Sequence, residues 1–334
     1  MQIQINFLTV AAVALIMASC TNDEKKPGAR TDSQPLIDPS IAVPAFNADS
    51  AYQYIAEQVA FGPRVPGTEA HTLCGDYLEK KLRDFGAEVV SQRGTVTAYD
   101  GSQLPMRNII GQFNPSSPNR LLLFAHWDTR PFADKDSTDV NMPIDGANDG
   151  GSGVGVLLEV ARLLGKTTPK YGIDIIFFDV EDYGAPEGGI SEGKYTDWCL
   201  GSQYWGKNPH KSGYTAKYGI LLDMVGAADA VFPKEGTSVY FDARLVRKVW
   251  NVAKELGYGH LFIDEVSSET IDDHLFVNQL ANIPSINIVH FHTGDLPHSY
   301  GHFHHTHKDS MDIIDRKTLQ AVGHVVSTLI YNEK

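Results

Sequence analysis

A chain of 334 residues, 42% of them hydrophobic, is long enough to bury a full core as one large domain or two small ones. Its formal net charge of −13 at pH 7 argues against a general nucleic-acid-binding protein, because a surface that follows phosphates needs clustered Lys and Arg, and the sequence has no such cluster. We therefore expect neutral or positively charged partners, such as the N-terminal ammonium of a peptide.

The first residues are typical of an export signal. Residues 1–19 carry no charged side chain, and their apolar stretch, 8–17, is too short to span a membrane. Ala18 and Ser19 precede Cys20 as in a bacterial lipobox, which would make Cys20 the lipidated first residue of the mature protein. A plain secretory signal is the alternative. We expect an exported protein, periplasmic or anchored to the envelope, whose only membrane contact is a lipid on Cys20.

Residues 20–45 are polar and rich in proline, which is typical of a flexible tether. We therefore place the folded part of the chain in a single domain over residues 46–334. Only Cys74 and Cys199 remain after Cys20. We expect both to be free and buried, because the sequence alone does not bring their Cα atoms within disulfide reach.

Within that domain, hydrophobic periodicity predicts alternating helices and strands. The predicted helices cover residues 51–60, 68–85, 154–164, a segment from Leu200, 245–256, a short helix introduced by Asp272, and 317–331. The predicted strands cover 89–99, 106–113, 121–125, 172–180, 218–222 and 284–289. This order predicts an α/β fold, a three-layer α/β/α sandwich around a mixed, mainly parallel central sheet.

The strand predicted over 172–180 is a nearly continuous apolar run, as in parallel strands buried on both faces, and it leads into two adjacent carboxylates, Glu181 and Asp182. Open α/β sheets bind ligands at the carboxyl ends of their strands, so we expect the reaction centre here. Neighbouring carboxylates can divide the chemistry, because one can bind a metal while the other remains a base.

Four other strand ends or loops also present acids or histidines. They are His126 with Asp128, Asp149, Asp223, and the cluster His302, His304, His305 and His307. Zinc is bound by His nitrogen and carboxylate oxygen when no thiolate is offered, so this set is typical of a catalytic zinc site. A Ser nucleophile is unsupported because the sequence has no G-x-S-x-G elbow, and the Gly-rich segment 146–155 lacks the lysine of a P-loop.

Five segments carry a resemblance to a known family. They are 125–128 (Ala-His-Trp-Asp), 146–149 (Gly-Ala-Asn-Asp), 177–182 (Phe-Phe-Asp-Val-Glu-Asp), 221–226 (Leu-Leu-Asp-Met-Val-Gly) and 305–309 (His-Thr-His-Lys-Asp). In this order they resemble the motifs of the zinc aminopeptidase superfamily, which is like peptidase family M28. Within that superfamily the chain is most similar to the type II glutaminyl cyclases, from about Ala51 to the C-terminus.

The resemblance implies one zinc ion per chain and a defined set of functional side chains. The implied zinc ligands are Asp149, Asp182 and His305, the implied general acid/base is Glu181, and the carboxylates implied beside it are Asp223 and Asp272. His304 and His307 lie so close to His305 in sequence that a slip in the match would exchange them. The expected substrate pocket is lined by Trp127, Trp198, Phe303 and His304.

The reaction implied by the resemblance converts an N-terminal glutamine to pyroglutamate and releases ammonia. Zinc would act as a Lewis acid on the side-chain amide, and Glu181 would pass a proton from the α-amine to the departing ammonia. Because the nucleophile is part of the substrate, one metal ion suffices. The implied partners are peptides and proteins with an N-terminal glutamine.

Two other functions stay open at this point. A two-zinc aminopeptidase of the same superfamily would use His126 and Asp223 as additional ligands, and the sequence contains both. A noncatalytic surface lipoprotein could keep the fold and bind peptides, although an intact Glu181 argues against it.

Overall fold

The computed structural model describes residues 36–186, 195–293 and 299–334. The predicted signal peptide, Cys20 and the tether as far as residue 35 lie outside these ranges. The folded unit begins at Leu36, ten positions earlier than the predicted boundary at residue 46. The difference arises because Leu36 and Ile37 pack against the core, and the backbone N–H of Asp38 donates to Oδ1 of Asn332 at 2.8 Å.

A six-stranded sheet forms the centre of the domain. The strands in the described ranges are β1 (Glu88–Thr97), β2 (Gln103–Phe113), β3 (Arg120–His126), β4 (Gly172–Phe178), β5 (Gly219–Asp223), β6 (Phe232–Lys234), β7 (Phe262–Val266) and β8 (Ser285–Val289). The sheet order is β1-β2-β4-β3-β5-β8; β2 runs antiparallel to β1 and β4, and the last four strands are parallel. Strands β6 and β7 pair separately. The predicted mixed, mainly parallel sheet is confirmed.

Helices cover both faces of this sheet. They are α1 (Ala48–Val59), α2 (Glu69–Asp84), α3 (Ser152–Leu164), α4 (Leu200–Lys207), α5 (Gly236–Glu255), α6 (Asp273–Ala281) and α7 (Arg316–Tyr331). On β4, Ile175 and Phe177 join a core shared with α1, α2, α3, α5 and α7, whereas Ile176 and Phe178 pack on the other face with Trp205 of α4 and with α6. Burial on both faces explains the continuous apolar run of β4 and confirms the three layers.

Helix α3 approaches the strand ends closely at Gly153. A Cβ added at Gly153 would overlap the carbonyl oxygen of Leu222 and lie 2.9 Å from Cβ of Ala125. Only glycine therefore lets the first turn of α3 rest on the ends of β3 and β5. This contact fixes the loop that enters α3, which carries Asp149.

Helix α5 is longer than predicted because it is built from two segments. Asp242 has non-helical angles (φ −149°, ψ 79°), and its side chain accepts hydrogen bonds from the backbone N–H groups of Arg244 and Leu245 at 3.0 Å. The second segment therefore has its own N-cap, and the prediction found only that segment. None of the described helices combines the length and apolar character needed to cross a bilayer.

Candidate metal centre and active site

The carboxyl ends of the parallel strands meet at one edge of the sheet. His126 ends β3, Asp223 ends β5, and Glu181 follows the end of β4 closely. Loops and the N-cap of α6 add the other predicted side chains, Asp149, Asp182, Asp272 and His305. Apart from His126, these side chains line a cavity of about 360 Å³, a volume in the range of small-ligand sites.

The turn after β4 holds its backbone in an unfavourable conformation. Val180 has φ +54°, in the left-handed region that is costly for a β-branched residue. Two buried acids hold this turn: Asp179 accepts a hydrogen bond from the N–H of Val180 at 2.9 Å, and Asp128 accepts from the N–H groups of Glu181 and Asp182 at 3.0 and 3.1 Å. The buried acid Asp128 therefore supports the backbone from which both functional carboxylates project.

Asp149, Asp182 and His305 form a group suited to a cation. Nε2 of His305 lies 3.2 Å from Oδ1 of Asp182 and 3.8 Å from Oδ2 of Asp149. The buried Oδ2 atoms of both carboxylates accept no hydrogen bond from any residue that the structure describes. Bare buried carboxylate oxygens are costly, and a divalent cation beside an imidazole nitrogen satisfies them. The donor set therefore fits zinc.

The electrostatics of the two carboxylates agree with this interpretation. Burial raises the pKa of Asp182, although the nearby His305 opposes this, and a bound cation would favour its ionised form. Burial also acts on Asp149, but a hydrogen bond from His126 and the charge of that imidazole outweigh it and hold the pKa of Asp149 below its ordinary value. Asp309 fixes the backbone of this loop, because its carboxylate accepts from the N–H groups of Asn148 and Asp149 at 2.7 and 2.9 Å.

His305 is held from three sides. Its backbone adopts φ +57°, its ring stacks on Trp198 with a centroid separation of 6.1 Å and an interplanar angle of 7°, and its Nδ1 lies 3.5 Å from Oδ1 of Asp134. A carboxylate on Nδ1 directs Nε2 toward Asp182, which is the arrangement that metal-binding histidines commonly show.

The two competing histidines are placed differently. Nε2 of His304 lies 3.9 Å from Oδ2 of Asp149, and its Nδ1 lies 2.8 Å from Nζ of Lys135, so its ring lies between the cation group and a lysine. The ring of His307 points elsewhere, with Nε2 3.3 Å from the carbonyl oxygen of Asp139. His304 therefore shares with Asp149 and His305 a group whose ligand atoms lie within 4.8 Å of one another, and of these two histidines it is His305 that also lies 3.2 Å from Oδ1 of Asp182.

Glu181 occupies a separate group from these donors. Its Oε1 accepts a hydrogen bond from Sγ of Cys199 at 3.1 Å, and donor atoms of Glu181, Cys199 and Asp272 all lie within 4.8 Å of one another. Burial raises the pKa of Glu181 well above its ordinary range, although the nearby His126 opposes this. Burial and the Asp223 carboxylate raise the pKa of Asp272 to about 7. The group is therefore equipped to hold and exchange a proton.

A third group contains His126, Asp149 and Asp223. Nε2 of His126 lies 3.1 Å from Oδ1 of Asp149 and 3.2 Å from Oδ1 of Asp223. Burial opposes protonation of this imidazole, but the surrounding carboxylates outweigh burial and raise its pKa well above the ordinary value. A protonated His126 would supply the positive charge that a second metal ion would otherwise supply between these two carboxylates, and the same three side chains could instead hold that ion.

Two of the four aromatic side chains expected in the pocket do not line it. Trp198 and His304 lie in its wall, together with Tyr300. Trp127 is fully buried, where it stacks on His71 at 4.3 Å and donates from Nε1 to the carbonyl oxygen of Arg107. Phe303 is also fully buried and belongs to the main core. Both are adjacent to site residues in sequence but are buried and do not line the cavity.

The sequence prediction missed Arg130, which supports the cation group from behind. Its guanidinium pairs with Asp134 at 2.7 Å, donates to the carbonyl oxygen of Asp182 at 3.1 Å, and lies 4.8 Å from the ring of Trp198. It also missed Cys199, whose thiol contacts Glu181. The four-residue spacing of Arg130 and Asp134 was the available signal, and it indicates an ion pair without indicating a site.

Comparison with known proteins places this geometry in a family. The model of peptidase family M28 matches residues 108–330, which include all the site residues described above. The chain belongs to peptidase family M28. Within the family, a glutaminyl cyclase structure from Bacteroides thetaiotaomicron bound to N-acetylhistamine is similar at 53% identity, covering 88% of this chain and 100% of that one, with a TM-score of 0.85.

Another solved structure carries a different description at equal similarity. A Zn-dependent exopeptidase from Parabacteroides distasonis is 53% identical, covers 87% of this chain and 100% of that one, and superposes with a TM-score of 0.85. The glutaminyl-peptide cyclotransferase of Drosophila melanogaster is 27% identical to this chain over 177 residues. The aligned residues are 51% of this chain and 46% of that protein, so the match spans about half of the length of that relative. The predicted resemblance to glutaminyl cyclases within the superfamily is confirmed.

Proposed function

We propose that this chain is a zinc-dependent glutaminyl-peptide cyclotransferase, which closes an N-terminal glutamine into pyroglutamate and releases ammonia. The observation that carries the proposal is that Glu181 and Asp272 form a group with Cys199, apart from the group that contains Asp149 and His305, while Asp182 lies 3.2 Å from Nε2 of His305. A free carboxyl beside a cation group is what an intramolecular acyl transfer needs. The 53% identity to a structure described as a glutaminyl cyclase, over its full length, supports the proposal.

Asp149, Asp182 and His305 would hold a single zinc ion. When bound, zinc supplies Lewis acidity, which polarises the side-chain amide of the substrate and makes its carbon more electrophilic. The other residues of the site act on the substrate itself. The negative field of the surrounding carboxylates attracts the α-ammonium group of a peptide into the cavity.

Glu181 would carry the proton. Its carboxylate accepts a proton from the substrate α-amine and returns it to the departing ammonia, and a carboxyl whose pKa is raised by burial suits both steps. Asp272 lies beside Glu181, and its negative charge adds to burial in raising the pKa of Glu181. Oδ2 of Asp272 accepts a hydrogen bond from Nδ2 of Asn287 at 2.6 Å. Trp198 and Tyr300 in the wall limit the access of water to the reacting amide.

A zinc exopeptidase is the second candidate, and one observation favours it. His126, Asp149 and Asp223 could hold a second ion, which would activate water for hydrolysis. The proposed cyclisation, by contrast, needs no activated water, because the nucleophile belongs to the substrate. The description of the Parabacteroides distasonis structure keeps this candidate in the test.

Metal analysis with paired activity assays separates the two functions. We expect one zinc per chain, ammonia release from a glutaminyl peptide, and no hydrolysis of a leucyl anilide. Glu181→Gln should retain zinc and lose ammonia release by at least about 100-fold, as expected for loss of a general acid/base. Two zinc ions per chain with anilide hydrolysis would establish the exopeptidase instead.

We also propose that the chain is exported and carries a lipid on Cys20, as the lipobox-like leader suggests. Its substrates would then be proteins whose N-terminal glutamine is exposed by signal cleavage. Cys20→Ser should move the protein from the membrane fraction to the soluble fraction. Envelope proteins of a deletion strain, analysed by peptide mass, should keep uncyclised N-terminal glutamine; normal cyclisation in that strain would contradict this substrate class.

A further inference from the structure

The Cys199 thiol makes a direct contact with the carboxylate of Glu181. Sγ donates to Oε1 at 3.1 Å, and Cys199 is completely buried. Oε2 of the same carboxylate lies 3.9 Å from Nδ1 of His126, which is beyond hydrogen-bond distance. The Glu181 side chain is 12% exposed and lines the cavity, so the two carboxylate oxygens have different surroundings.

The backbone holds this contact in place. The N–H of Cys199 donates to the carbonyl oxygen of Glu181, and the N–H of Leu200 donates to the carbonyl oxygen of Val180, both at 2.9 Å. Cys199 and Val180 both have left-handed backbone angles, with φ +57° and +54°. Two paired segments that both adopt a costly conformation leave the thiol little freedom to move away from Oε1.

We propose that Cys199 is a positioning residue for Glu181: its thiol occupies Oε1 and leaves Oε2 as the oxygen that exchanges the proton with the substrate. This inference rests on the proposed cyclotransferase function. Burial and the neighbouring carboxylates raise the pKa of the Cys199 thiol well above its ordinary value. The thiol therefore remains a hydrogen-bond donor throughout the working pH range.

Substitution at position 199, with Cys74 as a matched control, tests the role. Both cysteines are buried and free, but Cys74 lies in α2. Cys199→Ala should lower kcat for ammonia release about tenfold with KM changed less than about twofold, because the substrate still binds while Glu181 loses its fixed orientation. Cys199→Ser keeps a donor and should stay within about threefold of the wild-type kcat, and Cys74→Ala should leave kcat unchanged.

Several results would overturn the inference. An unchanged kcat in Cys199→Ala would overturn it. Equal losses of kcat in Cys199→Ala and Cys199→Ser would also overturn it, because packing alone would then explain the effect. An infrared difference spectrum between the wild-type chain and Cys199→Ser isolates the S–H stretching band of Cys199. Glu181→Ala should shift that band toward the position of a free thiol, and an unshifted band would rule out the hydrogen bond.

The spectrum does not depend on turnover, so it separates failure of the hydrogen bond from failure of the proposed function. A wild-type chain that binds zinc and releases no ammonia from glutaminyl peptides contradicts the function, and with it the proton-transfer role, even if the thiol band shifts as expected.

Discussion

Aspartates at this site have two different roles. Some have carboxylate oxygens available for a cation, and others accept hydrogen bonds from the backbone. Asp149 and Asp182 keep bare carboxylate oxygens beside His305, whereas Asp128 and Asp309 use both oxygens to accept backbone N–H groups. The sequence pattern predicts positions at strand ends or loops for Asp128, Asp149 and Asp182, whereas Asp309 is present there only as part of a family motif. It could not assign their roles, because a carboxylate that binds a cation and one that binds an amide have the same side chain.

Asp309 provides a test of the supporting role. Asp309→Ala should weaken zinc binding about 10- to 100-fold, because the loop that carries Asp149 loses both of its hydrogen bonds to that carboxylate. Zinc affinity is measured by competition with a chromogenic chelator. Asp312→Ala removes an exposed acid three residues away and serves as the control. Equal affinities in the two variants would contradict the supporting role.

Glu235 supports the part of the cavity wall that contains Thr270. Its buried carboxylate accepts from the N–H groups of Thr237, Ser238 and Thr270 at 2.7, 2.7 and 2.8 Å. Nε2 of His274 lies 3.0 Å from the same carboxylate. Burial acts to raise the pKa of Glu235, but these hydrogen bonds, led by that from His274, outweigh burial and lower it from 4.5 to about 2. Thr270 and its neighbours are thereby fixed beside the cavity.

The lowered pKa predicts how stability depends on pH. The contribution of Glu235 to the free energy of unfolding is complete above about pH 4.5 and is lost as the pH falls toward 2. Burial opposes protonation of His274, but Glu235 outweighs burial and raises the pKa of His274. The contribution of His274 is therefore complete below about pH 6.5 and is lost as the pH rises through that raised pKa. Glu235→Gln should therefore lower the free energy of unfolding by about 3 kcal/mol between pH 4.5 and 6.5.

Urea unfolding at pH 3, 5.5 and 8 measures this profile. The exposed Glu255, at the end of α5, gives a matched control through Glu255→Gln, which should change stability little at any of these pH values. A constant difference between Glu235→Gln and the wild type from pH 3 to pH 8 would contradict the assignment.

At the scale of elements, the central strands were predictable because their signal is strong. A run such as β4 is apolar on both faces. The alternation in β1 and β2 is typical of edge strands; β1 is at the edge, but β2 lies inside the sheet between β1 and β4 and is mostly buried. Strands β6 and β7 were missed because they are short, and four of the five residues of β7 are not buried, which leaves little apolar pattern. The first segment of α5 was missed because its order depends on the distant Thr270 and His274, which contact Glu235.

The close approach of α3 to the sheet gives a prediction at this scale. Gly153→Ala should lower the free energy of unfolding by about 1–3 kcal/mol, because the added methyl group overlaps the carbonyl oxygen of Leu222 and must displace the helix. Denaturant unfolding measures the change. Gly259→Ala is the control, since a Cβ there meets only Cγ of Lys254 at an ordinary 3.7 Å. Equal stability of the two variants would show that α3 adjusts without cost.

At the scale of the whole molecule, folding concentrates negative charge around one cavity. Asp149, Glu181, Asp182, Asp223 and Asp272 all line it, in a chain whose net charge is already −13. Their mutual repulsion is a cost to the folded state that a bound cation reduces. The metal should therefore act on stability as well as on activity.

Chelation measures that coupling. Removal of zinc should lower the melting temperature by several degrees, because an ion that binds only the folded state stabilises it by mass action. Scanning calorimetry with and without chelator gives the difference. The first equivalent of zinc should restore the melting temperature, and a second should add nothing. Restoration only at two equivalents would support the exopeptidase.

The backbone around the cavity also limits how this site can be copied. Val180, Cys199, Met224 and His305 all carry side chains yet hold left-handed angles, with φ between +48° and +57°. Each such residue costs on the order of 1–3 kcal/mol, which the rest of this domain supports. Grafting the acids and the imidazole onto an unstrained scaffold would therefore orient these side chains wrongly. The graft would have to include the strained main chain and the groups that restrain it.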